Sequence, residues 1–312
     1  MACLELLLTL AASPVLQDET PTVAVLVGAP GEETYVEPFE AAAERWRQAA
    51  EQGGANYVRI DSTSSDDVDD RTRLQVFLAG RSEASTAPLW LVLIGHGTFD
   101  GERARFNLRG PDLRAHGLAT WLDAVPRPQA VLVCASSSGP FVNRLSKPGR
   151  VIVTATRSGT EVSYSRFAGF LSMAIGSLES DLDGDHQVSL LEAFRFASAR
   201  TEEWYASEAR LATEHALIDD NGDGLGASTR AFTGVRANHT PPQGDLPDGT
   251  HAHRWHLIPS AQERALPDEV RQQRDVIEAE IEALRGKKAS MDESAYYAAL
   301  EGLMLQLAKL YR

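Results

Sequence analysis

Cysteine is nearly absent from this chain; Cys3 and Cys134 are the only two. They allow one disulfide at most and exclude a cysteine-built zinc site. Positive charge is short as well: 30 Lys and Arg stand against 44 Asp and Glu, a formal net charge of −14. Gripping phosphates takes a basic face, so this balance speaks against a nucleic-acid partner. The surplus carboxylates suit a soluble enzyme and can serve bound cations. No apolar run is long enough to cross a bilayer, so no transmembrane segment is expected. The short run at 6–12 (LLLTLAA), followed by Ser13 and Pro14, resembles a secretory signal core. No Lys or Arg precedes it and Glu5 sits at its edge, so an N-terminal helix is the equal alternative. Export and a cytoplasmic location both stay open.

What is present is ordinary for a globular protein: 312 residues, 43% hydrophobic and 24% charged. The length suits one large domain plus an appendage, or two small domains. Apolar runs at 23–28, 56–60, 89–94, 129–135 and 150–155 read as strands. An amphipathic stretch at 37–52, stretches at 69–80 and 112–125, and an apolar one at 167–176 read as helices between them. This alternation predicts an α/β fold, a three-layer sandwich with a mostly parallel sheet. Further on, a helix is expected from Leu190 to about Ala212, then an irregular 236–262 linker with one strand at 255–258. The C-terminus reads as a helical hairpin over 263–312, its second helix opened by a capping box at Ser290–Glu293. The domain plan is therefore 1–19, 20–235, 236–262 and 263–312.

Catalytic groups in a parallel sheet gather beyond the carboxyl ends of its strands. One strand ends at Gly95-His96-Gly97 and the next at Cys134-Ala135-Ser136-Ser137-Ser138-Gly139. A base and a hydroxyl on one edge suit nucleophilic catalysis. Gly97 lets the backbone approach a substrate closely, and its N–H is a candidate oxyanion donor.

These two strand ends resemble the caspase–legumain superfamily of peptidases (clan CD), its bacterial legumain-like branch more than the animal caspases. The matching segments are LWLVLIGHG at 89–97 and VLVCASSSG at 131–139, with His96 and Ser136 lying 40 residues apart. The likeness runs over roughly 20–235 and implies a caspase-like fold, a peptide-bond hydrolase, and a protein or peptide substrate. His96 falls on the family's histidine, and Ser136 falls where the family carries its cysteine. Four readings of that serine stay open: an engineered inactivating substitution, a serine nucleophile with extra activation, a binding protein or scaffold that no longer cleaves, or Cys134 as the nucleophile. Cys134 shares a strand face with Ser136 but sits inside an apolar run. The loops that form the family's specificity pocket correspond here to Thr156–Phe167, with Arg157 and Glu161 as pocket candidates beside Arg166.

Residues 181–192 (DLDGDHQVSLLE) match the twelve-residue calcium loop. Asp181, Asp183 and Asp185 hold positions 1, 3 and 5, Gln187 offers its carbonyl, and Glu192 closes the site, predicting a structural calcium. His186 stands where glycine is preferred. Residues 219–224 (DDNGDG) open like a second loop but place Arg230 at position 12, leaving an irregular site or a tight turn. Histidines 251, 253 and 256 read as surface side chains, and the terminal hairpin as a packed pair or an arm for self-association or partner docking.

Overall fold

The computed structural model describes residues 20–61, 68–81, 85–238 and 246–310. The apolar run at 6–12 and Cys3 lie outside the described residues. In chain order the elements are β1 (Thr22–Val27), α1 (Val36–Gly53), β2 (Asn56–Arg59), α2 (Asp70–Ala79), β3 (Leu89–Ile94), β4 (Gly97–Phe99) and β5 (Ala104–Phe106). There follow β6 (Leu113–Arg114), α3 (Ala115–Asp123), β7 (Gln129–Cys134), α4 (Pro140–Leu145), β8 (Arg150–Thr154), α5 (Phe167–Ala174) and α6 (Leu190–Ser207). The remainder is β9 (Leu217–Asp219), β10 (Phe232–Thr233), β11 (Arg236–Ala237), α7 (Ala261–Ala265), α8 (Asp268–Gly286) and α9 (Glu293–Leu310).

The main sheet has the order β2-β1-β3-β7-β8-β9; the first five strands are parallel and β9 runs antiparallel to β8. Every residue of β1, β3, β7 and β8 is buried, because helices cover both faces. Val92, Ile94, Leu132 and Cys134 face a core filled by Phe39 and Trp46 of α1, Phe167 of α5 and Phe194 of α6. Leu91, Leu93 and Val133 face the opposite core with Leu74, Leu118 and Phe141. The α/β sandwich expected from the alternation is the observed architecture. Beyond the carboxyl edge, β4, β5 and β6 form a small antiparallel sheet.

Several local expectations are corrected. The helix read from 112 begins only at Ala115, because Leu113 and Arg114 pair with β5. The helix read to Ala212 stops at Ser207, and Ala209 turns the chain with a left-handed φ of 52°. No regular strand forms at 255–258; His256 makes a single bridge to Ser189. Nor is 236–262 a linker throughout. Ala252 and Leu257 are core residues, and Trp255 sets its edge against Trp90 at 5.2 Å. The cap of α9 is Asp292, whose carboxylate accepts the Ala295 N–H at 3.1 Å; Ser290 lies in a preceding 3-10 turn. Among the described residues no helix is long and apolar enough to cross a membrane.

Candidate active site

Ile94 of β3 and Cys134 of β7 are register partners on one sheet face. Two residues beyond each come His96 and Ser136, so both emerge at the same level of the carboxyl edge. Gly97 seals the junction between them. A Cβ there would stand 2.3 Å from the Ser136 carbonyl oxygen, so only glycine allows the two segments to lie this close.

His96 is half-buried, with Nε2 3.1 Å from the Pro30 carbonyl oxygen. That oxygen can only accept, so the hydrogen bond assigns the proton to Nε2 and leaves the Nδ1 lone pair as the base. Burial holds the imidazole pKa below its ordinary value, against the opposing pull of the Pro30 hydrogen bond and the Glu32 charge. The ring stands in an aromatic cage, edge-on to Tyr35 at 4.8 Å, Phe39 at 5.2 Å and Tyr164 at 6.1 Å.

The Ser136 hydroxyl is only 2% exposed by residue and is held by the backbone. Its Oγ accepts the Gly97 N–H and donates to the Gly97 carbonyl, both at 3.1 Å. It therefore occupies the donor proposed for an oxyanion, and among the described residues no hydrogen bond joins it to His96. The following turn is firmly built. Ser137 has a left-handed φ of 53° and donates its N–H to the Glu161 carbonyl at 2.8 Å. Thr156 Oγ1 lies 3.2 Å from Ser138 Oγ and accepts the Gly139 N–H at 3.0 Å.

Cys134 lies fully inside the core, where burial pushes its thiol pKa up. A nucleophilic thiolate needs the reverse. Arg157 lines a cavity of about 240 Å³ together with His215, and its Nε pairs with Glu161 at 3.2 Å rather than standing as a separate charge. The same carboxylate binds His215 Nδ1 at 2.6 Å and accepts the backbone N–H of both Arg157 and His215. Glu161 thus ties three loops together just behind Ser137. Sequence reading missed His215, Glu214, Tyr35 and Tyr164. Tyr35 ends a 3-10 turn, Tyr164 lies within the 156–167 loop, and Glu214 and His215 precede β9; no spacing rule links any of them to His96. Glu214 is buried, and its carboxylate accepts Ser165 Oγ at 2.7 Å and the Arg166 and Phe167 N–H groups at 2.9 and 3.2 Å, capping α5.

The 181–192 segment folds as a turn held by its own carboxylates. Asp181 accepts the N–H of Gly184 and His186, Asp183 that of Asp185, and Asp185 that of Gln187. One carboxylate oxygen from each of Asp181, Asp183 and Asp185 lies within 4.8 Å of the others. His186 takes the left-handed backbone, φ 66°, that this position demands. Burial, then the charges of Glu192 and Asp185, raise the Asp183 pKa, a repulsion that a cation would relieve. Glu192 instead accepts the Ser189 N–H and hydroxyl and the Leu182 N–H. His253 joins this cluster, 3.6 Å from Asp183. Residues 219–225 repeat the hydrogen-bond pattern of the first loop, with Asp219 accepting from Gly222 and Gly224. No carboxylate stands at its twelfth position, and neighbouring Asp220 is turned inward to cap Gly249 and Ala252.

No protein-family model matches this chain, and no curated protein matches it in sequence. Among solved structures it is similar to caspase-1 from Spodoptera frugiperda, at 10% identity and a TM-score of 0.44 over 65% of this chain and 87% of that one. It is also similar to the Drosophila initiator caspase Dronc, at 11% identity and a TM-score of 0.45 over 67% of this chain and 82% of that one.

Proposed function

We propose that the chain is a peptide-bond hydrolase of the caspase–legumain type in which Ser136 stands at the nucleophile position and His96 is the base. The observation that carries this reading is the registered pair of strand ends. His96 has its Nε2 proton bound to Pro30 and its Nδ1 lone pair left over, and Ser136 abuts Gly97 one strand away. Attack requires the Ser136 side chain to rotate off Gly97. Nδ1 then takes the hydroxyl proton as Oγ bonds to the scissile carbonyl carbon, and the freed Gly97 N–H receives the oxyanion. The proton passes to the departing amine, and water, deprotonated by the same imidazole, releases the acyl group.

A second reading is favoured by the resting state of Ser136: a binding protein on the same scaffold that does not cleave. Its hydroxyl is buried and has both its donor and acceptor roles filled by Gly97. Incubating the chain, its Ser136→Cys form and a His96→Ala control with a peptide library separates the two. Cleavage by the cysteine form that His96→Ala abolishes supports the hydrolase. Silence from both the serine and cysteine forms leaves the binding protein. Calcium at Asp181, Asp183, Asp185, the Gln187 carbonyl and Glu192 completes the proposal as a structural cofactor. Glu192 would exchange its capping role for the cation.

A further inference from the structure

A cavity of about 870 Å³ opens between α1, α5 and the C-terminal end of α6, within the size range of small-molecule sites. No Asp or Glu lines it, although carboxylates outnumber cations across the chain. Its charged lining is three arginines, Arg45, Arg166 and Arg210. Some arginines elsewhere pair with carboxylates, as Arg47 does with Glu44, Arg59 with Glu40 and Arg150 with Asp123, while others, such as Arg81 and Arg264, are satisfied by backbone carbonyls. Among the described residues these three have no such partner.

Arg166 is fixed without being neutralised. Its guanidinium carbon stands 3.3 Å over the Trp204 ring and 5.5 Å from Tyr164. Stacking of this kind orients the planar fork and leaves its N–H edges for an anion. The nearby Glu214 carboxylate is taken up by Ser165, the Arg166 and Phe167 backbone and Tyr205. Tyr35, Phe39, Tyr164 and Phe170 supply aromatic surface to a wall completed by small and aliphatic residues such as Ala41, Gly169 and Met173.

We infer that this cavity binds a small polyanion carried on a planar ring, the chemistry of a nucleoside diphosphate. The ring lies against the aromatic surface and the charges meet Arg166, Arg210 and Arg45. Tyr35, Phe39 and Tyr164 also form the cage around His96, so an occupant braces the imidazole from behind.

Calorimetric titration of the full chain with ADP, adenosine and pyrophosphate tests this. The expected result is one ADP site, tighter than either fragment and weakened by salt. Arg166→Gln and Arg210→Gln should each loosen it by about tenfold or more, the effect of one lost charge-assisted hydrogen bond. Arg210 lies on an exposed loop, so its variant serves if Arg166→Gln proves unstable. No heat with ADP at millimolar concentration overturns the inference. So does ADP binding that both variants leave unchanged, pyrophosphate binding as tightly as ADP, or an acidic peptide taking the site where ADP does not. Peptide cleavage plays no part in this readout, so its outcome stands apart from that of the hydrolase reading.

Discussion

A carbonyl oxygen can do one thing for an imidazole, accept its proton, and Pro30 does this for His96. The consequence is a base with a defined tautomer and, through burial, a depressed pKa. For cleavage by Ser136 itself, where the imidazole is the titrating base, the acid limb of kcat/KM should therefore lie below the ordinary imidazole value of about 6.5. Phe39→Ala opens the cage to water and should move that limb back up; a pH profile indifferent to the change would refute burial as the cause. Gly97 makes a second residue-scale case. Gly97→Ala forces a Cβ to within 2.3 Å of the Ser136 carbonyl. Overpacking of this kind costs about 1–3 kcal/mol, read in a denaturant titration, and should abolish any cleavage by moving Ser136. His96, Gly97 and Ser136 were legible because each ends or follows an apolar strand. The cage and the Glu161–His215 pair were not, since contacts between residues far apart in the chain leave no local pattern.

At the scale of elements, the 181–192 loop shows what a spacing can carry. Its carboxylates, its left-handed turn at His186 and its junction with α6 follow from the motif alone. A ligand that binds only the folded state at a hundredfold excess over its dissociation constant adds about 2.7 kcal/mol. Millimolar calcium should thus raise Tm by roughly 5–10 °C for a domain of this size, and Asp181→Ala should remove most of the gain. Identical melting curves in calcium and in chelator would exclude the site. The second loop hides a structural role that its sequence did not disclose. Asp248 accepts the Asp220 N–H at 3.1 Å, and burial, with the charges of Asp220, Asp219 and Asp223, pushes its pKa up to about 7. The folded state thus holds a proton that the unfolded chain releases near pH 4. Its stabilisation is complete below that pH and is lost as pH rises to about 7. Asp248→Asn keeps the acceptor oxygen without the charge. Its melting temperature should match that of the parent near pH 4 and exceed it increasingly up to pH 8, and a constant offset would contradict the sign. β9 went unread for a related reason: three residues ending in an aspartate carry too little pattern to mark a strand.

For the molecule as a whole, the question is where the folding unit ends. The sequence drew a boundary at 235, where Pro, Gly and His dilute the apolar pattern. The structure moves it, because the two apolar cores draw their residues from Val23 to Leu257. Gly53 shows how tightly the last of these is seated: a Cβ there would lie 2.0 Å from the Leu257 carbonyl oxygen. The loop from 187 is tied to the same stretch by the Ser260 N–H on Gln187 at 3.1 Å and by the Leu190 N–H on Trp255 at 2.8 Å. The hairpin of α8 and α9 contributes nothing to either core. Its buried residues, Ile281 and Tyr296, belong to neither cluster, and Tyr297, Met304 and Leu305 are exposed. The hairpin is attached through α7, where Arg264 donates to the Gln52 carbonyl at 2.9 Å and Glu263 pairs with Arg274 of α8, and it borders a cavity of about 480 Å³ lined by Met304, Leu307, Arg254 and Asp183. A chain ending at residue 262 should accordingly unfold in one cooperative step, with a melting temperature within a few degrees of the full chain. Ending it at residue 250 should remove Trp255 and Leu257 from the core, and losing a buried leucine alone costs about 2–5 kcal/mol. Circular dichroism melts of the two truncations decide the matter: comparable loss of cooperativity in both would place the hairpin inside the folding unit after all.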